Sequence, residues 1–248
     1  MSWLPAAEVE NYWRYEIKYR LTYQQYQRVK SALLPYVHFD SYTEAVPSHK
    51  YLVRSLYFDS LDYQSYNEKL DGNHSRYKFR IRTYSDAIRP ETVIRIEAKL
   101  RHGTKTEKLG AFVSIEAFCD FMKNYHWDCE ANPVLIEFER NVHARILRPK
   151  VLVEYQREGY RCRGKEDVRI TFDHHVQSAQ TKTLFPTHAF FRQHYPHQIV
   201  LEIKHRDQQP EWLKAIVQSQ GLKIETNSKY CQGIDVTQLD LVNHALRV

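Results

Sequence analysis

Residues 76–84 read RYKFRIRTY. Taken alternately, Arg76, Lys78, Arg80 and Arg82 fall on one side, and Tyr77, Phe79, Ile81 and Thr83 on the other. Such alternation of β-favouring residues reads as a strand with one apolar and one cationic face. The chemistry that a row of cations offers is anion binding. Arginine's planar fork donates two parallel hydrogen bonds to a phosphate, and lysine adds a point charge on a flexible stem.

The pattern recurs. YWRYEIKY sets Arg14, Glu16 and Lys18 on one face, and VIRIEAKL does the same for Arg95, Glu97 and Lys99. VLVEYQREG pairs Tyr155 with Arg157, VRITFD aligns Arg169, Thr171 and Asp173, and VLEIKH aligns Glu202 with Lys204. An ordinary solvated sheet face mixes Thr, Ser, Gln, Glu and Lys. Here arginine and lysine dominate, with single carboxylates interposed.

The elements that must position these residues are legible in outline. Strands are expected at 12–21, 49–58, 75–84, 91–100, 105–109, 150–158, 168–173 and 198–205. Helices are expected from Thr22 to Leu34, from Asp59 to Leu70, from Ser114 to Tyr125, from Pro133 to Leu147, from Pro210 to Gly221, and from Ser228 onward. Ser, Thr and Asp at the starts supply side-chain caps, and Pro or Gly punctuates the ends. Helices between antiparallel strands give an α+β chain in one domain over 1–248, with the helices covering the apolar faces from outside. The charged faces then point at one another, as the basic lumen of a closed antiparallel β-tunnel of about eight strands. Like charges in a lumen repel, and each unpaired buried ion costs several kcal/mol in rough magnitude. Water, the interposed carboxylates and a bound polyanion supply the compensation. A chain of phosphates fits such a lumen.

Bulk properties agree. The chain has 248 residues, a net charge of +6 and a pI near 9.0, which point to an anionic partner. Eighteen tyrosines against seven glycines argue for a packed chain and not a disordered one. Cys119, Cys129, Cys162 and Cys231 form no CxxC pair, so neither a zinc ribbon nor a dithiol redox site is written here. No stretch reaches the roughly 20 apolar residues that span a bilayer, and no signal peptide is read. The chain is expected in the cytoplasm. Phosphate-binding loops of the P-loop and GxGxxG types are missing from the sequence. His188, His194 and His197 lack the spacing of a metal site, and Ser228 lacks a partner base for covalent catalysis. Tyr36, Tyr42, Tyr51, Tyr57, Tyr63 and Tyr66 read as packing residues.

Taken in order, RYEIKY, SLYFDS, KFRIRTY, RIEAKL, VLVEYQREGY, VRITFD, VLEIKH and SKY resemble the landmarks of a known group. This is the polyphosphate polymerase (vacuolar transporter chaperone, VTC) domain family of the triphosphate tunnel metalloenzyme, CYTH-like superfamily. The resemblance runs from Arg14 to Tyr230. It implies a β-tunnel with outer helices and a phosphotransferase that adds the γ-phosphate of ATP to a growing inorganic polyphosphate chain. By motif, Lys18, Arg80, Arg82, Lys99, Arg157, Arg169 and Lys229 would line the tunnel as the catalytic cations. Lys78, Lys108, Tyr155, Lys204 and Ser228 would bind substrate, and Glu202 would hold Mn2+ or Mg2+.

Hydrolase and cyclase relatives carry an ExExK motif. Here Arg14 replaces its first glutamate, which points to the polymerase branch. Glu16 is left as a metal helper or, preferably, a salt-bridge partner for a lumen arginine. The membrane spans and helical sensor domain of eukaryotic members are missing from this sequence. Polyphosphate synthesis would therefore proceed alone or with a membrane-protein partner subunit. The rival readings are a hydrolase of triphosphate or nucleoside triphosphate using the same residues, and a non-catalytic polyphosphate-binding module. Nucleic-acid binding would need surface basic patches and not inward-facing charge.

Overall fold

A computed structural model of the protein describes residues 8–10, 15–102, 105–128, 132–206 and 208–238. In chain order the elements are β1 (Glu8–Glu10), β2 (Tyr15–Thr22), α1 (Tyr23–Leu33), β3 (Val37–Phe39), α2 (Ser41–Glu44), β4 (Tyr51–Asp59), α3 (Gln64–Leu70), β5 (Ser75–Thr83) and β6 (Ile94–His102). There follow β7 (Lys105–Val113), α4 (Ile115–Asn124), α5 (Pro133–Ala144), β8 (Arg148–Cys162), β9 (Val168–Ala179), β10 (Arg192–Gln193), β11 (Gln198–His205), α6 (Glu211–Ser219) and α7 (Lys229–Thr237). The fold is α+β, as the alternation of patterns implies.

One 11-stranded sheet runs in the order β1-β7-β6-β5-β4-β8-β9-β11-β2, with β10 on β9 and β3 on β8. Every pairing is antiparallel. Helix starts follow local chemistry. Thr22 and Gln25 close a capping box on α1, Ser114 accepts from Ala117 N, and Ser228 accepts from Cys231 N. α3 begins later than the sequence suggests, because Tyr63 turns left-handed at φ 58°, yet Asp59 still accepts from the amides of Ser65 and Tyr66.

The expected closed ring is not what forms. β1 and β2 are the two ends of the hydrogen-bonded path, and no ladder joins them among the described residues. The reason is competition for the edge of β2. A segment returning from α6 occupies it, through the Tyr19–Ile224 bridge and Glu225 N donating to Lys18 O at 2.9 Å. Arg14, the residue that departs from ExExK, lies outside the described residues.

The helices cover the outer face in two groups. Phe118, Phe121, Phe138 and Val142 pack against Phe79, Ile81, Ile94 and Ile96. Val29, Leu33, Leu213 and Ile216 pack against Leu21, Ile170, Leu201 and Ile203. Fully burying each of these large side chains contributes about 1.5–3 kcal/mol. The expectation that every helix lies outside fails for α7. Tyr230, Cys231 and Ile234 pack with Val53, Tyr57, Val151, Val153 and Tyr155. These belong to the same sheet face as Arg80 and Arg82, because Tyr57 pairs with Arg80 and Val151, and Ser55 with Arg82 and Val153. Gly233 permits the approach: a Cβ there would lie 2.8 Å from Ser178 Oγ. α7 thus fills one part of the concave face and presents its N-terminus to the cations in the rest.

Candidate functional site

The register places the expected cations in rows. Lys78 pairs with Lys99 and Lys99 with Lys108, while Arg80 pairs with Glu97 and Arg82 with Arg95. Arg157 pairs with Asp173, Lys204 with Arg169 and Glu16, and Glu202 with Lys18 and Thr171. Strand alternation turns these side chains to the concave face, where carboxylates divide them into groups.

The first group centres on Glu97, which is 2% exposed. Its Oε2 accepts from Arg80 Nε at 2.6 Å and lies 3.4 Å from Arg82 Nε. Its Oε1 accepts no hydrogen bond and lies 3.4 Å from Lys108 Nζ and 3.9 Å from Arg95 Nε. Burial raises the Glu97 pKa, but Arg80, Arg82 and Lys108 outweigh it and hold the carboxyl well below its usual range. Arg80 also donates to the Tyr57 hydroxyl at 3.0 Å, and Arg82 to Ser55 Oγ at 3.1 Å.

The second group centres on Asp173, which is fully buried. Arg157 grips it with two bonds of 2.7 and 2.9 Å, and Lys229 Nζ approaches at 2.6 Å. Burial opposes ionisation, yet these cations keep the Asp173 pKa at about 2. The Tyr155 ring lies under both cations, 5.1 Å from the Arg157 guanidinium and 4.8 Å from Lys229 Nζ.

The third group holds two carboxylates and three lysines. Glu202 contacts Lys204 at 2.9 Å and Lys18 at 3.4 Å. Glu16 contacts Lys18 at 2.7 Å, Lys99 at 3.2 Å and Lys204 at 4.0 Å. The neighbouring Glu202 charge and burial both raise the Glu16 pKa, but the lysines bring it down to about 2. Glu16 is therefore a salt-bridge partner here, of lysines and not of the expected arginine.

Two site residues stand apart. Arg169 turns to Asp40 at 2.9 Å and, at 3.5 Å, to the Tyr51 hydroxyl. Lys78 donates to Ser228 Oγ at 2.9 Å and makes no carboxylate ion pair among the described residues. Burial pushes the Lys78 pKa down to about 8, with neighbouring Lys18 and Lys99 adding to the shift. His194, raised and set aside on sequence grounds, is buried with both ring nitrogens engaged, by Ser178 Oγ at 2.6 Å and Gln232 Oε1 at 3.3 Å.

The sequence reading placed Glu97, Asp173 and Arg95 on charged faces without assigning them to the site, read Tyr57 as a packing residue, and gave no role to Asp40. Glu97 and Asp173 share the parity of their neighbouring cations, so alternation marks them as inward-facing. Tyr57 and Asp40 carry no such signal, because their contacts come from distant parts of the chain.

The donors suit a small hard cation only with help. Among the described residues no group of three or more His, Cys, Asp or Glu could hold a metal ion. Glu202 and Glu16 offer carboxylate oxygens on adjacent strands, and Mg2+ or Mn2+ takes one or two carboxylates completed by phosphate oxygens and waters. The set fits a metal that arrives with a phosphate ligand.

Comparison with solved structures finds a Bacillus halodurans protein described as a candidate adenylate cyclase, at 14% identity and a TM-score of 0.52. The alignment covers 90% of this chain and 96% of that one. A Vibrio parahaemolyticus protein described in the same way aligns at 11% identity and a TM-score of 0.45, over 88% and 96% of the two chains. The first likeness shows a shared fold. Comparison with curated proteins gives no match. The VTC domain family matches residues 13–238, a span that takes in every cation and carboxylate of the three groups. The chain belongs to the VTC domain family.

Proposed function

We propose that the protein is a metal-dependent polyphosphate polymerase, transferring the γ-phosphate of ATP to a growing inorganic polyphosphate chain within the cationic concavity. One observation carries this reading. Arg80, Arg82, Arg157 and Lys229 converge on the same concave face as the Glu16–Glu202 pair, each poised on a carboxylate that a phosphate chain could displace. The VTC family membership supports the polymerase assignment over others of the same fold.

Phosphoryl transfer asks a protein mainly for positioning and charge neutralisation. Arg80 and Arg82 would clamp non-bridging oxygens, and Arg157 and Lys229 would hold the neighbouring phosphate. Lys18, Lys99, Lys108 and Lys204 would steady the rest of the chain, with Lys78 and the Ser228 hydroxyl at the end of α7. Tyr155 keeps Arg157 and Lys229 oriented through its ring. Arg169 would act at the periphery through Asp40. Glu202, with Glu16 beside it, would hold a divalent ion, which supplies neutralisation of charge on the transferring oxygens. The nucleophile is the terminal phosphate oxygen of the acceptor chain.

A hydrolase reading remains the second choice, because water can replace that nucleophile with the same cations in place. One experiment separates them. With ATP and Mn2+, ADP, free phosphate and acid-insoluble polyphosphate are followed together. ADP matched by phosphate in long chains supports the polymerase. Free phosphate without chains makes the protein a hydrolase, and no ATP consumption overturns both. No helix is long and apolar enough to cross a membrane among the described residues. Action in the cytoplasm, alone or with a membrane-protein partner, completes the proposal.

A further inference from the structure

β10 is a two-residue strand that lies off the main path of the sheet, paired to β9. The residue after it, His194, is buried, and its backbone N donates to Val176 O on β9 at 2.9 Å. Its ring bridges two elements. Nε2 lies 2.6 Å from Ser178 Oγ on β9, and Nδ1 lies 3.3 Å from Gln232 Oε1 on α7. Burial pushes the His194 pKa down to about 4, with the Lys229 charge adding to the shift and the Gln232 bond opposing it, so the ring is neutral near pH 7. A neutral imidazole has one donor and one acceptor. The Gln232 oxygen accepts, which assigns the proton to Nδ1 and leaves Nε2 to accept from the Ser178 hydroxyl.

Tyr230, Cys231 and Ile234 pack α7 against valines and tyrosines of the sheet, and apolar packing is non-directional. Gly233, where α7 approaches Ser178, has no side chain to key into the sheet. Apolar contact alone therefore leaves the rotation of α7 about its axis open, whereas hydrogen bonds are directional and set it. Gln232, Gly233 and Val236 stand three, four and seven residues after Lys229, so they share its face of the helix. Arg192 Nη1 of β10 donates to Val236 O at 3.0 Å. β9 and β10 thus grip the face of α7 that carries Lys229, while the Tyr230 hydroxyl bonds Asp59 from another face. We infer that His194 is a positioning residue, which through Ser178 and Gln232 sets the rotation of α7 and so holds Lys229 against Asp173. The inference rests on the proposed phosphate role of Lys229 and adds the part that places it. The histidine acts through the helix and not on the ligand.

The test uses double-variant cycles on the full chain. In the ligand-free protein, urea unfolding compares His194→Phe, Lys229→Met and the two together. Lys229 stabilises through Asp173 only when α7 is turned correctly, so Lys229→Met is expected to lower the urea midpoint much less in the His194→Phe background than in the wild type. Equal shifts in both backgrounds would overturn the inference, since a histidine that merely fills space acts independently of Lys229. With sodium tripolyphosphate and titration calorimetry, His194→Phe is expected to weaken binding about tenfold, the scale of one hydrogen bond to a charged group. It should do so equally in the Arg80→Ala background, because Arg80 is held by Glu97 and not by α7, and should have little effect in the Lys229→Met background. A full loss of affinity in the Lys229→Met background would also overturn the inference. If His194→Phe does not fold, Gln232→Met removes the same bond from the helix side and carries the same expectations. Failure of the wild-type protein to bind tripolyphosphate would defeat the phosphate-binding reading itself, and the urea cycle would then decide the role of His194.

Discussion

Lys99 Nζ on β6 lies 3.2 Å from Glu16 Oε2 on β2, a contact between two strands that share no backbone ladder among the described residues. An ion pair thus joins strands that the hydrogen-bonded path keeps apart. The same carboxylate holds Lys18 at 2.7 Å, so two lysines proposed to bind phosphate are occupied by one resident anion. Glu16→Gln keeps the shape and removes the charge. Without divalent metal, this variant is expected to bind tripolyphosphate about three- to tenfold more tightly, a change of roughly 1 kcal/mol. Calorimetric titration in chelator checks it, and unchanged affinity would show that Glu16 does not compete with ligand.

Glu202 separates metal from charge balance. Glu202→Gln is expected to lower Mn2+-dependent ATP turnover by at least about a hundredfold, on the scale of losing one preorganised electrostatic contact. Metal-free tripolyphosphate binding should persist in the same variant. Turnover equal to wild type would remove Glu202 as the metal ligand.

Arg157 and Arg80 should differ in what they do for the fold. Arg157 satisfies the fully buried Asp173 with two bonds, and Lys229 is the remaining partner. Arg157→Ala is expected to destabilise the protein by about 3 kcal/mol, because it half-strips a buried carboxylate. Glu97 keeps Arg82 and Lys108 when Arg80 is removed, so Arg80→Ala should cost less stability while still weakening phosphate binding. Urea unfolding measures both, and equal losses would contradict the distinction.

Lys78 gives the site a pH dependence in the weakly alkaline range. Its pKa is pushed down to about 8 by burial, with Lys18 and Lys99 opposing its charge and Cys231 and Tyr57 favouring it. A charged Lys78 attracts phosphate, so tripolyphosphate affinity is expected to fall as pH rises through about 8. The sign for stability is opposite. The unfolded lysine titrates near 10.5, so between about 8 and 10.5 the unfolded chain binds more protons, and this residue's contribution to stability rises with pH. Lys78→Met should flatten the affinity profile between pH 7 and 9. An unaltered profile would assign that titration to another group.

Gly159 holds the periphery in place. A Cβ there would sit 2.2 Å from Asp40 Oδ2, the carboxylate that pairs with Arg169. Gly159 N also donates to Thr43 Oγ1 at 2.8 Å. Gly159→Ala is expected to displace Asp40, free Arg169 and cost about 1–3 kcal/mol, the range for overpacking a filled site. Arg169→Met then has no further effect on stability in the Gly159→Ala background. Additive losses would show that the clash leaves the Asp40–Arg169 pair intact.

Much of this was legible in the sequence, because a sheet writes its faces at period two. The alternation in KFRIRTY and RIEAKL marked two strands and the common face of their cations, and Thr22, Ser114 and Ser228 marked helix starts by cap chemistry alone. Features that depend on long-range contact were not legible. The seam depends on 224–225 claiming the edge of β2, and a short segment without periodicity carries no such signal. α7 has apolar residues enough for an outer helix; only Gly233 against Ser178 and the valines of β8 shows that it lies within. α2 spans Ser41–Glu44, too short for a periodic pattern, and exists because Asp40 caps it and Gly159 makes room. The partners of Arg169 could not be read from its own strand.

If the concavity takes phosphate as proposed, the carboxylates seated among its cations make it a discriminator of charge density. Glu97, Asp173 and Glu202 are tethered competitors, present at a high effective concentration that no free ion matches. Chloride, a free carboxylate or the singly charged phosphodiester of a nucleic acid offers each arginine no more charge than the resident already does. A condensed phosphate presents several charged groups on one backbone and can dislodge all the residents together. On the proposed phosphate-binding reading, selectivity against the common anions of a cell is set by an exchange equilibrium, and the glutamates and the aspartate are the standard against which each ligand is weighed.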